Sequence, residues 1–374
     1  MGEIGETEVS RDNEDISFLE EVGIETDGKA SAYLVTFAPC FRNNARGEIK
    51  NFDPSAKFER TISDSIALVT SAKQNREFIQ KMQKESPIFI KHIMPVMGAG
   101  EIEGELDTDR VKLLEAVNQV AHICDGDKFA VQCRVVSGGL QYSAKDIEVY
   151  VGEAYYNKGG IPSFSDRDII NDDIYIISIL IHEGVFYVGF SRSNENLNFN
   201  SDEHRIRARA GGREISRAEN KLIEALSAFN VELSGQGTVL DLGAAPGGWS
   251  KVLADYGYNV LAVDPAELHP DLEKDKRITH IKSKVQDIKL EKQLDLIVND
   301  MNIEPQETAM IMNDIAHFLK PEGLAIVTLK LPDHAQRRIE ETVSVLKENY
   351  EVQKIRSLFH NRQEVTVLLK RKGK

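Results

Sequence analysis

The sequence predicts an α/β protein, with a doubly wound parallel sheet in the C-terminal half and small α+β units before it. Two observations lead to this prediction. Apolar strands and helices alternate after residue 213, a pattern typical of parallel sheets that carry helices on both faces. Strands and helices before residue 193 do not alternate in this way, and the 374 residues exceed what one hydrophobic core usually serves. We therefore expect several domains.

We expect five segments, separated where the hydrophobic pattern changes. They are an acidic leader over residues 1–30, a ferredoxin-like α+β domain over 31–105, a second α+β domain over 106–192, a linker over 193–212 and the doubly wound domain over 213–374. The leader and the Asn-rich stretch RSNENLNFNSDEHR are polar and lack periodicity. Such segments bury too little apolar surface to form a core of their own.

The two N-terminal domains show strands and helices in a definite order. In the first, strands AYLVTFAP and SIALVTS precede helix AKQNREFIQKMQKE and strand PIFIKHIMPVM. In the second, helix TDRVKLLEAVNQVAHIC and strand KFAVQCRVV precede helix AKDIEVYVGEAYYNKG and strands DIYIISILIHEG and VFYVGFSR, joined tightly at Glu183-Gly184. The order in the second domain resembles the THUMP family, which implies RNA binding. A generic packing or dimerisation domain is the alternative.

The C-terminal segment alternates helices with strands. Its predicted helices are SRAENKLIEALSAF, GGWSKVLADYG, ETAMIMNDIAHFLK and RRIEETVSVLKENY. Its predicted strands are TVLDLG, NVLAVD, THIKS, LDLIVND, GLAIVTLK and EVTVLLKR. This alternation predicts a Rossmann-like parallel sheet, whose ligands bind beyond the carboxyl ends of the strands.

Composition excludes several classes of protein. No apolar run reaches the roughly 18 residues of a membrane span, and the start MGEIGETEVSRDNEDIS lacks the basic and apolar regions of a secretory signal. We therefore expect a cytoplasmic protein without a membrane partner. The three cysteines, Cys40, Cys124 and Cys133, form neither a disulfide framework nor a paired metal motif, so we expect no metal.

The net charge of −14 is unevenly distributed along the chain. Residues 1–200 carry 20 Lys and Arg against 33 Asp and Glu, whereas residues 201–374 carry 26 against 27. Where the second half begins, five arginines lie close together: Arg205, Arg207, Arg209, Arg213 and Arg217. A local basic strip can bind phosphates, because screening limits each charge to about 10 Å at 0.1 M salt. An exposed basic helix start or linker is an equally good interpretation of these arginines.

The strand-to-helix turn DLGAAPGGWS is the first candidate ligand site. Its glycines allow a sharp turn and a close approach of ligand to backbone, and its spacing differs from both GxGxxG and the P-loop. Asp264 ends the next strand, where a carboxylate can accept ribose hydroxyls, and Asp287 is expected near an adenine edge. Each acid alone would be an ordinary loop carboxylate. Together they predict an S-adenosylmethionine site made of Gly243, Pro246, Gly247, Gly248, Trp249, Asp264, Asp287 and Asp300.

The motif DLGAAPGGWS also resembles the signature of the FtsJ-like ribose 2'-O-methyltransferases. That family has a Lys-Asp-Lys-Glu tetrad, and the resemblance assigns it to Lys221 in ISRAENKL, Asp300 in IVNDM, Lys330 in TLKLP and Glu364 in HNRQEVTVLL. It implies S-adenosyl-L-methionine as cofactor and an RNA ribose as methyl acceptor. The stretches NDMNIEP, TLKLP and LFHNRQEVTVLL resemble members that act on 23S (large-subunit) ribosomal RNA. A structural ion-pair cluster is the alternative interpretation of the four charges.

Other methyl acceptors leave traces that the C-terminal segment lacks. Methylation at carbon 5 of a pyrimidine typically uses a cysteine, and no cysteine follows Cys133. Transfer to an exocyclic base nitrogen typically uses an Asn/Asp-Pro-Pro-aromatic loop, whereas this sequence reads NDMNIEP. A hydroxyl acceptor remains. A methyltransferase for transfer RNA or another RNA, and a non-catalytic RNA-binding ribosome-assembly factor, stay open as alternatives.

Lys330 is our hypothesis for the base that relieves the ribose hydroxyl of its proton. A lysine has a pKa of roughly 10.4, which burial and the nearby charge of Lys221 would lower and the acids Asp300 and Glu364 would raise. Which effect is larger does not follow from the sequence. Two interpretations also remain open for three other residues. Trp249 packs either near the cofactor or in the core. His360 and Arg362 either contact RNA phosphate or are ordinary polar residues at the edge of the sheet.

Overall fold

The computed structural model describes residues 32–73, 75–163, 174–195, 215–290, 293–331 and 335–373. The predicted leader, most of the predicted linker and four of the five clustered arginines lie outside these residues. The described residues fall into two compact units. The first lies within Met1–Thr36, Arg46–Glu85 and His92–Asp202, and the second within Phe37–Ala45, Ser86–Lys91 and Glu203–Lys374.

The described N-terminal residues contain a four-stranded sheet of order β2-β3-β1-β4. Its strands are β1 (Ala32–Phe37), β2 (Lys57–Ser63), β3 (Ile66–Thr70) and β4 (Ile90–Val96), accompanied by helices α1 (Arg42–Phe52) and α2 (Asn75–Glu85). The predictions of β1, β3, β4 and α2 are confirmed, but α1 and β2 were missed. In α1, Ala45, Ile49 and Phe52 are buried at helical spacing within an otherwise polar sequence. In β2, exposed and half-buried residues alternate along an edge strand that carries three charges, so neither element has a long apolar run.

A second sheet of five described strands has the order β5-β9-β8-β6-β7. Its strands are β5 (Gly98–Glu101), β6 (Lys128–Ser137), β7 (Ile161–Pro162), β8 (Tyr175–His182) and β9 (Val185–Arg192), with helices α3 (Leu106–Val120) and α4 (Ala144–Tyr156). The tight turn predicted at Glu183-Gly184 is confirmed, since His182 pairs directly with Val185 and both turn residues have positive φ.

The C-terminal residues form the Rossmann-like α/β sheet that the sequence predicts. Seven described strands have the order β12-β11-β10-β13-β14-β16-β15. They are β10 (Thr238–Leu242), β11 (Asn259–Val263), β12 (Ile278–Ile281), β13 (Leu294–Asn299), β14 (Leu319–Lys330), β15 (Tyr350–Arg356) and β16 (Glu364–Arg371). The helices between them are α5 (Ala218–Ala228), α6 (Gly248–Asp255), α7 (Pro305–Ile315) and α8 (Ala335–Leu346).

One feature of this sheet differs from the prediction. Strands β10 to β14 pair in parallel, but β16 is antiparallel to both β14 and β15. The predicted helix RRIEETVSVLKENY ends at Tyr350, and the sequence predicts no strand over residues 351–356, where β15 lies. Only residues 357–363 separate β15 from β16, whereas a parallel crossover needs a dozen residues or more. The last strand therefore returns along the sheet in the opposite direction.

The strand order defines where a ligand is expected. Strand β10 lies between β11 and β13, so the chain leaves it first to one side and later returns on the other. This is the topological switch point of the sheet, and ligands of such folds bind beyond the carboxyl ends of the strands there. Among the helices in the described part of the chain, none combines the length and the apolar character that a bilayer crossing requires.

Candidate active site

The turn after β10 adopts a conformation that requires glycine. Gly243 and Gly247 have φ of 72° and 111°, in the left-handed region that favours this residue. A Cβ on Gly247 would collide with the side chain of Leu272, and one on Gly243 would come within 2.9 Å of the Met301 Cα. Pro246 lies between them and accepts a hydrogen bond from the His269 amide at 2.9 Å. The sequence DLGAAPGG therefore bends the main chain sharply at the switch point.

Gly248 and Trp249 join α6 to α5. A Cβ on Gly248 would collide with the Ser216 hydroxyl and approach Glu219, so glycine permits the close contact of the two helices. The Trp249 side chain is buried in the core, and its indole Nε1 donates to the Ala218 carbonyl at 2.7 Å. Both residues support the turn through packing. A direct contact of either with the cofactor stays a prediction.

Asp264 is held beside the glycine turn by backbone amides. Its Oδ2 accepts from the Ala245 amide at 3.1 Å, and its Oδ1 accepts from the Ala266 amide at 2.8 Å. Each carboxylate oxygen has a further lone pair, which suits the two ribose hydroxyls of an adenosine. Asp287 ends a short 3-10 turn, Val285–Asp287, and is exposed. These carboxylate acceptors fit the adenosine part of S-adenosylmethionine, and both residues stay predicted ligands.

Lys221, Asp300, Lys330 and Glu364, here called the tetrad, come together in one cluster. The Lys330 ammonium lies 2.8 Å from Asp300 Oδ1 and 3.2 Å from Glu364 Oε2. The Lys221 ammonium lies 3.6 Å from Asp300 Oδ2 and contacts Glu364 Oε1. Each lysine thus bridges both acids, and the four side chains, only 10–19% exposed, form a closed ring of alternating charge.

The sheet explains why these four residues meet. Asp300 directly follows β13, and its amide donates to the Leu242 carbonyl at the end of β10 at 3.2 Å, so the tetrad adjoins the glycine turn. Lys330 ends β14 and Glu364 begins the antiparallel β16, and the register pairs these two residues across the strands. The Thr328 hydroxyl, on β14, also donates to Asp300 Oδ1 at 2.5 Å, which helps to fix the orientation of this carboxylate.

The geometry of the tetrad determines whether the pKa of Lys330 is raised or lowered. Burial lowers the pKa of this ammonium, but the adjacent carboxylates of Asp300 and Glu364 raise it more, so the pKa lies above its ordinary value. Lys330 is therefore protonated at neutral pH in this arrangement. A lysine that accepts a proton from a hydroxyl must first lose its own, which makes its reactivity strongly dependent on pH.

Two acids near the tetrad were not assigned from the sequence. Asp241, in β10, is buried and accepts a 2.6 Å hydrogen bond from the Ser250 hydroxyl. Burial, together with the carboxylates of Asp300 and Asp264, raises the pKa of Asp241 to about 7. The position of Asp241 as the first residue of the DLG motif was the one sequence feature that could have marked it as part of the site. Glu224 lies one helical turn after Lys221 and binds His360, and nothing in the local sequence indicated that pairing.

Residues 215–358 match the FtsJ-like methyltransferase family. The matched segment contains the glycine turn and three members of the tetrad, Lys221, Asp300 and Lys330, and it ends before Glu364.

Individual proteins are similar to longer parts of the chain. The chain is 27% identical over 358 residues to the uncharacterized protein MJ1257 of Methanocaldococcus jannaschii, which covers 90% of this chain and 98% of that protein. It is 31% identical over 208 residues to the Ribosomal RNA large subunit methyltransferase M of Edwardsiella ictaluri, which covers 52% of this chain and 54% of that protein. The chain therefore matches about half the length of that curated relative. The solved structure of TrmN from Thermus thermophilus aligns with 91% of this chain and 99% of its own, at 12% identity and a TM-score of 0.37.

Proposed function

We propose that this protein is an S-adenosylmethionine-dependent methyltransferase that methylates a ribose 2'-hydroxyl of RNA, with 23S ribosomal RNA as the substrate. The observation that carries the proposal is the closed ring of the tetrad beside the glycine turn. The FtsJ-like match over residues 215–358 and the relatives named Ribosomal RNA large subunit methyltransferase M support it.

Each residue around the glycine turn has a different role in cofactor binding. S-adenosylmethionine supplies the methyl group on a positively charged sulfonium. Gly243 and Gly247 keep the main chain close to the ligand, Asp264 accepts the ribose hydroxyls, and Asp287 binds the adenine edge. Asp300 belongs to both sites, because its main chain adjoins β10 and its carboxylate lies in the tetrad.

The tetrad orients the acceptor hydroxyl and takes its proton. Alignment of acceptor and methyl group alone can supply several kcal/mol of the barrier. Lys330 is the proposed base, and Asp300 and Glu364 hold its Nζ in a fixed direction. Lys221, paired with the same two acids, limits the net negative charge around the base and donates to the substrate.

Selection of the RNA is assigned to the N-terminal unit. One nucleotide offers little surface for discrimination, and structured RNA is recognised largely by shape. The five-stranded sheet with α3 and α4, which resembles a THUMP domain in its order of elements, is the proposed RNA-binding module. We place the reaction in the cytoplasm.

A product assay tests the proposal. The full chain is incubated with methyl-labelled S-adenosylmethionine and ribosomal RNA from cells that lack the gene, and the RNA is then hydrolysed in alkali. A 2'-O-methyl group blocks cleavage at its own nucleotide, so label should appear in alkali-resistant dinucleotides. Label in mononucleotides would instead indicate base methylation and reject the ribose assignment.

A pair of variants on one strand tests the role of Lys330. Lys330→Ala should retain cofactor binding, measured by calorimetry, while transfer falls by at least about 100-fold, the usual scale for removing a general base. Lys320→Ala is the matched control, because Lys320 lies on the same strand but pairs with Asp295 away from the tetrad. Unchanged turnover of Lys330→Ala would remove Lys330 from the role of base.

A further inference from the structure

Residues 357–363, here called the connecting loop, join β15 to β16 and end directly before Glu364. The carboxylate of Glu224, on α5, binds this loop at three points. Its Oε1 accepts from the Phe359 amide at 2.5 Å. Its Oε2 accepts from the His360 amide at 2.9 Å and lies 2.8 Å from the His360 ring Nδ1. One side chain therefore fixes two successive peptide groups of the loop.

The Glu224 contacts join the same two parts of the chain as a contact within the tetrad. Lys221 and Glu224 are three residues apart on α5 and so project from the same face of the helix. Lys221 pairs with Glu364, and Glu224 pairs with His360, four residues earlier in the chain. The helix and the loop are thus joined twice. One of these contacts belongs to the tetrad, and the other lies outside it.

Lys91 holds the connecting loop by its carbonyl groups. This lysine is only 6% exposed, and its ammonium donates to the Phe359 carbonyl at 3.1 Å and to the Asn361 carbonyl at 2.6 Å. The Asn361 side chain in turn accepts from the Leu358 amide at 2.7 Å and the Thr366 hydroxyl at 3.1 Å. Side chains therefore hold the amides of residues 358–360 and the carbonyls of Phe359 and Asn361.

We propose that Glu224, assisted by Lys91, is a positioning residue that sets the distance between Lys221 and Glu364. The inference rests on the proposed function, since it concerns the same tetrad. Glu224 acts through the connecting loop: when its carboxylate is removed, the loop relaxes and Glu364 loses its fixed place beside both lysines. Catalytic groups have to be held within about 0.5 Å of the productive geometry, and a displacement of 1 Å can cost about 100-fold in rate.

Substitutions at Glu224 test this inference in the full chain. In Glu224→Ala, kcat for methyl transfer should fall by about 10- to 100-fold, while the Kd for S-adenosylmethionine and the KM for RNA stay within about twofold. Glu224→Gln keeps the length and one carbonyl acceptor, so it should recover part of the rate. Glu232→Gln, which makes the same charge change at an exposed position after the helix, is the control and should leave kcat unchanged.

Hydrogen exchange supplies a readout that does not depend on activity. Amides of residues 358–364 should exchange at least about tenfold faster in Glu224→Ala, with the exchange of β10 and β13 unchanged. If Glu224→Ala does not fold, Glu224→Gln and Lys91→Met should give the same pattern in weaker form. Unchanged exchange of residues 358–364, or faster exchange with wild-type kcat, would overturn the inference. Absence of ribose methylation by the wild-type protein would reject the proposed function, and the exchange result would still decide whether Glu224 fixes the loop.

Discussion

At Lys330, burial and charge act on one ammonium group in opposite directions, and the charges of Asp300 and Glu364 have the larger effect. If proton loss from this group limits the reaction, the rate follows the neutral fraction, which grows tenfold per pH unit below the pKa. We therefore expect log kcat to rise with a slope near 1 from about pH 7 to pH 9.5 without a plateau. A flat profile under saturating substrates would contradict proton loss at Lys330 as the limiting step.

The second prediction at the scale of residues concerns the free energy of unfolding and its pH dependence at Asp241. The pKa of this acid is raised to about 7 in the folded protein, above that of an ordinary aspartate. A raised pKa means that the protonated group favours folding below the unfolded pKa. This contribution is lost as pH rises through the folded pKa, by about 1.4 kcal/mol per pH unit between the two values.

Asp241→Asn removes this titration but keeps an oxygen that can accept the Ser250 hydroxyl. Relative to the wild type, the variant should therefore gain stability as pH rises from about 4 to about 7. Urea unfolding of both proteins at pH 5 and pH 8 measures the difference. An equal change in both proteins would show that Asp241 does not carry this pH dependence.

At the scale of elements, the contact between α5 and α6 depends on a helical glycine. Alanine in place of glycine usually stabilises a helix by about 0.5–1 kcal/mol. At Gly248, however, the added Cβ would collide with the Ser216 hydroxyl and crowd Glu219, so Gly248→Ala should destabilise the protein by about 1–3 kcal/mol.

Gly47 provides the matched control for this prediction. It lies exposed in helix α1, and no atom lies within 4 Å of the Cβ that alanine would add. Gly47→Ala should therefore stabilise the protein, so the two Gly→Ala changes should have opposite signs in thermal or urea unfolding. If both changes stabilise, the contact of α6 with α5 can adjust, and the packing role of Gly248 would be smaller than the geometry implies.

At the scale of the whole molecule, the second unit includes short segments that lie far from residues 215–358 in the sequence. Residues 37–45 and 86–91 belong to it. The Ile88 carbonyl accepts from the Ser357 amide at 2.6 Å, and the Ile90 carbonyl accepts from the Arg356 guanidinium at 3.2 Å. Residues 215–358 therefore depend on residues 86–91 for some of their buried hydrogen bonds.

We expect a fragment of residues 215–374 to be less stable than the same residues in the full chain. Removing residues 86–91 takes away one hydrogen bond each from the buried residues Arg356, Ser357 and Asn361. A buried hydrogen bond that is lost in this way costs about 1–3 kcal/mol. Unfolding temperatures of the fragment and the full chain, with hydrogen exchange over residues 356–361, measure this loss. Equal protection of residues 356–361 in both would contradict it.

The sequence by itself determined most of the local structure. Alternation of apolar strands with helices gave the order of the C-terminal elements and the α/β class, because periodicity reflects which face of each element is buried. The glycine turn was readable for a similar reason, since only glycine adopts the positive φ found at Gly243 and Gly247 without strain. The four members of the tetrad were found through family resemblance, and their roles stay proposals.

Only the tertiary structure decided how distant residues meet. The sequence predicted β16 as a strand but not its antiparallel direction, which places Glu364 opposite Lys330. The resulting ion pairs determine the direction of the pKa shift at Lys330. Glu224 and Lys91 reach the connecting loop from positions 135 to 270 residues away. No local pattern encodes such contacts, because they depend on strand order and register. Coulomb and hydrogen-bond energies, in turn, depend on the distances that this order sets.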